Sequence, residues 1–221
     1  PAGLVLRGAT VARGRLRQVG GVELELAPGD RLRLRGDAAS GKSSLLEVLA
    51  GLAPVERGAV LVDGHDLRRA DLGLVRDQVV LVRDAELLGG RLIDELRMLG
   101  GPLDEARARE LLTTVGLEDA VDRLPQGLDT PLVPGGAPLS GSQTRRLVLA
   151  RALAARPRAL LLDGALDGLG LPDDRYQALL QQVLGPDAPW TAVVVSDDPR
   201  VSRWCDREAR IDGFDLVEAR S

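Results

Sequence analysis

The sequence is poor in the residues on which much side-chain chemistry depends. Its 221 residues include one cysteine (Cys205) and one histidine (His65), and aromatic residues make up 2%. A single thiol excludes an internal disulfide and favours a reducing compartment. His/Cys metal sites and Ser-His or Cys-His nucleophiles therefore have almost no ligands or bases to use. We expect Cys205 to be an inert thiol and His65 to be a surface turn residue.

Long apolar runs are also missing. No stretch approaches the roughly 20 apolar residues that a spanning helix needs, and no basic start followed by an apolar block marks a signal peptide. The net charge is −4, from 29 basic and 33 acidic residues, so the basic surplus typical of nucleic-acid binding is lacking. A hydrophobic content of 44% suits the core of one large domain. The chain opens at Pro1 rather than at a methionine, and we expect it to be a domain of a longer polypeptide.

Apolar runs alternate with helical patterns along the chain. Three near-continuous apolar runs predict strands that are buried on both faces, as in a parallel sheet. They are residues 78–82, 159–162 and 192–195. Apolar residues at helical spacing predict three helices, and shorter patterns predict additional antiparallel strands. The helices are 44–52, 144–155 and 174–184, and the additional strands are 4–10, 22–26 and 58–62. Strands that alternate with helices indicate an α/β domain.

The middle of the chain has a different pattern. Residues 87–155 show helical patterns at 91–99 and 103–115 and no convincing strand. We therefore expect a helical subdomain inserted into an α/β core, which residues 1–86 and 156–221 form together with an antiparallel β subdomain.

The strongest motif is a glycine-rich loop between a predicted strand and a predicted helix. It reads Gly36-Asp37-Ala38-Ala39-Ser40-Gly41-Lys42-Ser43 and matches G-x-x-x-x-G-K-[ST] in full. Backbone N–H groups and a helix start suit a triphosphate. Lys42 would reach the β and γ oxygens, and the Ser43 hydroxyl would help to hold Mg²⁺, with Ser44 beside it. A chance glycine-rich turn is the alternative, which the strand–loop–helix context disfavours.

Arginines alternate with leucines on the strand that leads into this loop. Buried arginines need partners, and the strand over 192–196 would end alongside in Asp197 and Asp198. Two possibilities stay open. One of these aspartates pairs with Arg33 or Arg35, or the arginines face an additional sheet or solvent.

A second carboxylate, Asp163, ends the apolar run 159–162, where a P-loop enzyme needs one to organise Mg²⁺. The stretch Leu139-Ser140-Gly141-Ser142-Gln143 opens the helix that leads into this run. With residues 28–30, 124–130 and 145–153, these motifs resemble the nucleotide-binding domain of ABC transporters, whose signature is LSGGQ. The resemblance covers about residues 4–218 and is greatest to the exporter branch.

The resemblance implies an α/β fold with a RecA-like P-loop NTPase core, an antiparallel β subdomain and a helical signature subdomain. It implies a head-to-tail dimer that holds ATP and Mg²⁺ between one P-loop and the other subunit's signature. Ser140 and the Gly141 N–H would then contact the γ-phosphate of the partner's ATP, and Ser142 replaces the family's second glycine. The implied partners are transmembrane domains and a second nucleotide-binding domain, at the cytoplasmic face of the cell membrane.

Five departures from the family pattern concern hydrolysis more than binding. Gly164 stands where the family has a water-polarising Glu, and Asp197 where it has the switch His. Arg83-Asp84-Ala85-Glu86 lacks the sensing Gln, and Asp167-Gly168-Leu169-Gly170 replaces Ser-Ala-Leu-Asp. Arg13 takes the place of the aromatic residue that stacks on adenine, and an arginine plane still stacks on a base. We expect ATP binding to survive and own-site hydrolysis to be very weak.

These losses are uneven, because the signature that serves the partner's site is nearly intact. We therefore predict the hydrolysis-deficient member of an asymmetric pair, whose partner is a different, catalytically complete domain. One alternative is a slow but genuine ATPase with a non-standard base. Asp167 is a candidate base, although the sequence places it about one turn beyond Asp163. The other alternative is a vestigial dimerisation module.

Overall fold

The predicted alternation of apolar runs and helical patterns corresponds, in the part of the chain that the structure describes, to twelve strands and seven α-helices of a computed structural model. It describes residues 1–13, 17–70, 72–83, 87–100, 103–212 and 215–219. The strands are β1 (Leu4–Arg13), β2 (Arg17–Leu26), β3 (Arg31–Gly36), β4 (Arg57–Val62), β5 (His65–Asp66), β6 (Val79–Val82), β7 (Gly90–Arg91), β8 (Pro131–Leu132), β9 (Ala159–Asp163), β10 (Thr191–Val195), β11 (Arg207–Asp212) and β12 (Asp215–Ala219). The helices are α1 (Lys42–Leu49), α2 (Leu72–Gln78), α3 (Leu92–Arg97), α4 (Glu105–Thr114), α5 (Glu118–Asp122), α6 (Gly141–Ala154) and α7 (Asp173–Leu184).

The near-continuous apolar runs form the centre of a six-stranded sheet in the order β12-β11-β3-β10-β9-β6. β11, β3, β10, β9 and β6 are parallel, and β12 adds antiparallel at one edge. The register pairs Val195 with Asp163 and Val82 with Leu162. The carboxyl ends of β3, β10, β9 and β6 therefore meet at one edge of the sheet, which is where ligands bind in open parallel sheets.

A second sheet, antiparallel in the order β2-β1-β4-β5, forms the predicted β subdomain. Its apolar face and one face of the parallel sheet enclose α1, whose Leu45, Leu46 and Leu49 are fully buried. On β3, Leu32 and Leu34 face this core. The alternating arginines therefore point to the opposite face, which explains the unusual Arg-Leu pattern. The predicted α/β fold class is confirmed.

The helical subdomain packs around α6, which contacts α3, α4 and β6. The expectation that residues 87–155 contain no strand is wrong in one detail, because β7 and β8 form a two-residue antiparallel ladder. A ladder this short has no period-two pattern that a sequence could show. None of the described helices has the length and apolar character needed to cross a membrane.

A buried ion pair joins two helices of this subdomain. The Glu95 side chain is fully buried, and its Oε2 lies 2.9 Å from Nη1 of Arg151 on α6, which is 13% exposed. Glu95 Oε1 accepts the backbone N–H of Gly89 at 2.9 Å. One carboxylate thus binds both the largely buried guanidinium of Arg151 and the segment that precedes α3.

Candidate nucleotide site

The glycine-rich loop connects β3 to α1 and has room only for glycine at its first position. A Cβ on Gly36, whose φ is +151°, would lie 2.5 Å from Ser40 Oγ and 2.9 Å from the carbonyl oxygen of Ile211. Gly41 caps α1 with φ +105°, a backbone conformation that L side chains rarely adopt. Among the described residues nothing bonds the buried Ser40 hydroxyl. The loop therefore packs closely around the Ser40 side chain.

Lys42 begins α1 and folds back over the loop. Its Nζ donates to the carbonyl oxygens of Gly36 at 2.7 Å and Asp37 at 2.9 Å. Residues 37–39 are exposed, as is Ser43, and Ser44 is half-buried. The ammonium group therefore lies against the loop at the start of α1, and a cation and a helix N-terminus both favour an anion.

Asp163 ends β9, which β10 separates from β3 in the sheet, and α1 packs against both β3 and β9. The Ser43 hydroxyl and the Asp163 carboxylate are hard oxygen donors, which suit Mg²⁺. The described residues hold no group of three His, Cys, Asp or Glu that could bind a metal alone. This donor set fits Mg²⁺ only if phosphate oxygens complete the coordination, as in P-loop proteins.

Gly164 follows Asp163 and has no side chain to offer. Its φ is +67°, and its N–H donates to the Val195 carbonyl oxygen at 2.9 Å. A turn closed by the Asp167 N–H to Gly164 C=O bond brings Asp167 back, so that its Oδ2 lies 4.0 Å from where a Gly164 Cβ would be. The turn thus places an Asp167 oxygen near the Gly164 position, and the role of Asp167 as a base stays a prediction.

Asp167 also holds the loop that follows β10, here called the switch loop (residues 196–198). Its Oδ1 accepts the Ser196 hydroxyl at 2.5 Å, and its Oδ2 accepts the Asp197 N–H at 3.3 Å. Asp197 is exposed. One carboxylate thus accepts a side-chain hydroxyl and a backbone N–H of the same loop.

Arg33 holds the same loop from the opposite side. Its Nη2 donates to the carbonyl oxygens of Ser196 at 3.1 Å and Asp198 at 3.4 Å.

The possibility that an aspartate side chain pairs with Arg33 or Arg35 is wrong, since both arginines lie beside Glu208 instead, at 3.9 and 3.2 Å. The Asp198 carboxylate bonds Arg200, which holds the pKa of that carboxyl below its usual range. Strand register predicts that these residues lie close together and not which of their atoms meet.

Arg83, directly after β6, forms an ion pair with Glu47 on α1. The sequence reading missed Glu47, although its position four residues after Ser43 places both on one helix face. Asp84 and the side chain of Arg13 lie outside the described residues, so their predicted roles stay predictions.

The signature stands at the start of α6, in the helical subdomain. Ser140 is the N-cap in a capping box: its N–H donates to Gln143 Oε1 at 2.8 Å, and its Oγ accepts the Gln143 N–H at 3.4 Å. Leu139 is buried, whereas Ser140 and Gly141 are exposed and available to a second molecule. Ser142 lies against Gly170, a contact that sequence reading missed because the two departures from the family pattern are 28 residues apart.

Comparison with known proteins agrees with these motifs. A family model described as ABC transporter matches residues 19–167. The cyclolysin secretion/processing ATP-binding protein CyaB of Bordetella pertussis is 31% identical over 204 residues, which cover 90% of this chain and 28% of that protein. The aliphatic sulfonates import ATP-binding protein SsuB of Ralstonia nicotianae is 38% identical over 207 residues, covering 90% of this chain and 66% of that protein.

The fold matches a solved structure over nearly its full length. A bacterial Atm1-family ABC exporter with ATP bound superposes with a TM-score of 0.88 at 23% identity, covering 98% of this chain and 38% of that one. At this identity the match establishes the fold alone. With the family match over 19–167, it shows that the chain belongs to the ABC transporter family and has the fold of its exporter-type nucleotide-binding domain.

Proposed function

We propose that this chain binds ATP with Mg²⁺ at its P-loop, pairs with a second nucleotide-binding domain, and hydrolyses ATP very slowly at its own site. The observation that carries the proposal is Gly164: the position directly after Asp163 has no side chain and a left-handed backbone. Lys42, Ser43 and the loop N–H groups would bind the phosphates. Ser43 and Asp163 would hold Mg²⁺, which would neutralise phosphate charge. The Glu and the His that would orient and polarise the attacking water are replaced by Gly164 and Asp197. The chain would therefore bind ATP but hydrolyse it very slowly.

The exposed Ser140 and Gly141 support pairing, because they can reach a phosphate held by another subunit. We propose a different, catalytically complete domain as that partner, since two copies of this chain would leave both sites without the water-polarising Glu. Large apolar side chains are exposed in and beside the helical subdomain, which supports docking of transmembrane domains there. They are Leu88, Met98, Leu99 and Val133, each 43–70% exposed. The pair would then work at the cytoplasmic face of the membrane, and CyaB's described role in secretion favours export.

A second candidate, a slow ATPase that uses Asp167 as its base, is favoured by the 4.0 Å approach of Asp167 Oδ2 to the Gly164 position. Against it, Ser196 and Asp197 already donate to both Asp167 oxygens. Steady-state phosphate release by the purified chain separates the two, with Lys42→Ala as the blank and Asp167→Asn as the test. Turnover that both substitutions abolish would establish the second candidate.

Binding itself is testable by chemical labelling, because Lys42 is the only lysine in the sequence. An amine-acylating reagent modifies Lys42 and the Pro1 amine, and peptide mass spectrometry quantifies each. We expect MgATP to slow acylation of Lys42 by about tenfold or more while Pro1 reacts at an unchanged rate. Equal labelling with and without MgATP, together with no heat of binding in calorimetry, would instead support the vestigial dimerisation module.

A further inference from the structure

Arg83 stands at the sheet edge where the metal would be bound. β6 and β9 are parallel with Val82 opposite Leu162, so Arg83 and Asp163 leave neighbouring strands side by side. The Arg83 guanidinium pairs with Glu47, which lies one helical turn after Ser43 on α1. Long side chains on a helix lean toward its N-terminus. The ion pair therefore lies beside the turn that carries Ser43.

This pair is exchangeable. The Arg83 side chain is 46% exposed and that of Glu47 is 31% exposed. Water competes for ion pairs at such exposure, and their net strength is low. A more highly charged anion that arrives nearby, such as a triphosphate, can therefore draw the guanidinium away from Glu47.

The Arg83 guanidinium would add positive charge beside phosphates bound at the loop. The oxygen ligands that the described residues offer to Mg²⁺ are the Ser43 hydroxyl and the Asp163 carboxylate. A guanidinium at the same edge repels a divalent cation and attracts phosphate oxygens, and it stays charged at every physiological pH. A guanidinium can perform two functions of the metal, which are to neutralise charge and to hold the terminal phosphate. It cannot activate water.

We infer that Arg83 substitutes in part for the divalent cation, so that this chain binds ATP with little dependence on Mg²⁺. This inference rests on the proposed ATP binding and adds the residue that sets the metal requirement. It also agrees with a site that holds nucleotide without splitting it, since charge neutralisation suffices for binding.

Calorimetric titration with ATP, in excess Mg²⁺ and in EDTA, tests the inference on four proteins. They are the unmodified chain, Arg83→Gln, Glu47→Gln and the control Arg109→Gln, whose arginine forms comparably exposed ion pairs in the helical subdomain. For the unmodified chain and the control, we expect Kd in EDTA to exceed Kd in Mg²⁺ by less than about threefold. In Arg83→Gln the ratio should rise to about tenfold or more, because the metal then has no substitute. Glu47→Gln removes the carboxylate that competes with phosphate and should tighten binding in EDTA.

Two results would overturn the inference. One is an unmodified chain that loses more than about tenfold in affinity when Mg²⁺ is removed, which leaves the proposed function intact. The other is an Arg83→Gln ratio equal to that of the control. Failure to bind ATP in either medium is a distinct result, since it rejects the proposed function first and the inference with it.

Discussion

Ser142 packs directly against Gly170, so that a Cβ added to Gly170 would lie 3.3 Å from both Cβ and Oγ of Ser142. Each residue departs from the family pattern, Ser142 in the signature and Gly170 in the segment after β9. Ser142 has a side chain where the family has glycine, and this side chain lies beside Gly170, where the family has an Asp side chain. The two departures are thus sterically compatible with each other, and together they join the start of α6 to the loop beyond Asp167.

This contact predicts a measurable coupling. Gly170→Ala should reduce the free energy of unfolding by about 1–2 kcal/mol, from the φ of +64° plus the contact with Ser142. Gly21→Ala is a matched control, because Gly21 has φ +65° and nothing within 4 Å of its added Cβ. Urea unfolding of Gly170→Ala, Ser142→Gly and the double variant gives the coupling energy. If both alanine variants lose equal stability and the double variant is additive, the packing argument is wrong.

The Glu95–Arg151 pair should be far more important for stability than the surface pairs. Glu95→Ala leaves the Arg151 guanidinium, 13% exposed, without its carboxylate, which should cost about 3–5 kcal/mol. Glu105→Ala, which removes an ion pair with Arg109 on the exposed face of α4, should cost no more than about 1 kcal/mol. Chemical denaturation compares the two directly. Similar losses would mean that the helical subdomain relaxes around the buried charge.

Restoring the family residue at position 164 should not restore hydrolysis. Glu at a φ of +67° is strained, and Asp167 already lies close by, so Gly164→Glu should cost about 1–2 kcal/mol in stability. Gly164→Ala isolates the backbone part of that cost. Phosphate release by Gly164→Glu should stay near that of the unmodified chain, since the switch position is still Asp197. A gain of about 100-fold would show that the missing Glu alone limits the reaction.

Cys205 should be nearly inert in the folded chain. Burial raises the pKa of its thiol from 9.0 to about 12, so the reactive thiolate is scarce at neutral pH. Alkylation by iodoacetamide at pH 8 should be much slower in buffer than in denaturant. Between pH 9 and 12 the unfolded chain binds fewer protons at this group than the folded chain, so its contribution to stability should fall as pH rises through that range. Equal alkylation rates in both states would contradict the burial.

Sequence patterns predicted those elements well whose apolar residues must be buried. Strands over 159–162 and 192–195 and the helix over 174–184 correspond closely to β9, β10 and α7, because apolar runs and helical periodicity record which faces lose water. The strand–loop–helix order around the glycine-rich loop was also predicted, since the motif occurs between a strand and a helix.

The remainder depends on contacts that periodicity does not record. The approach of Asp167 to Gly164 results from a four-residue turn, and the partner of Arg33 is a pair of backbone carbonyls. Backbone acceptors have no sequence signal, so the pattern of acidic side chains could not identify these partners. Arg83 and Glu47 are 36 residues apart and meet only because the parallel sheet brings the end of β6 beside α1.

The hydrogen bonds of Asp167 have a mechanical consequence. One carboxylate spans the segments that follow β9 and β10, and Arg33 clamps the second of them from behind. Hydrogen bonds thus link the two segments, and we expect a displacement of Asp197 by a docking subunit to be transmitted to Gly164.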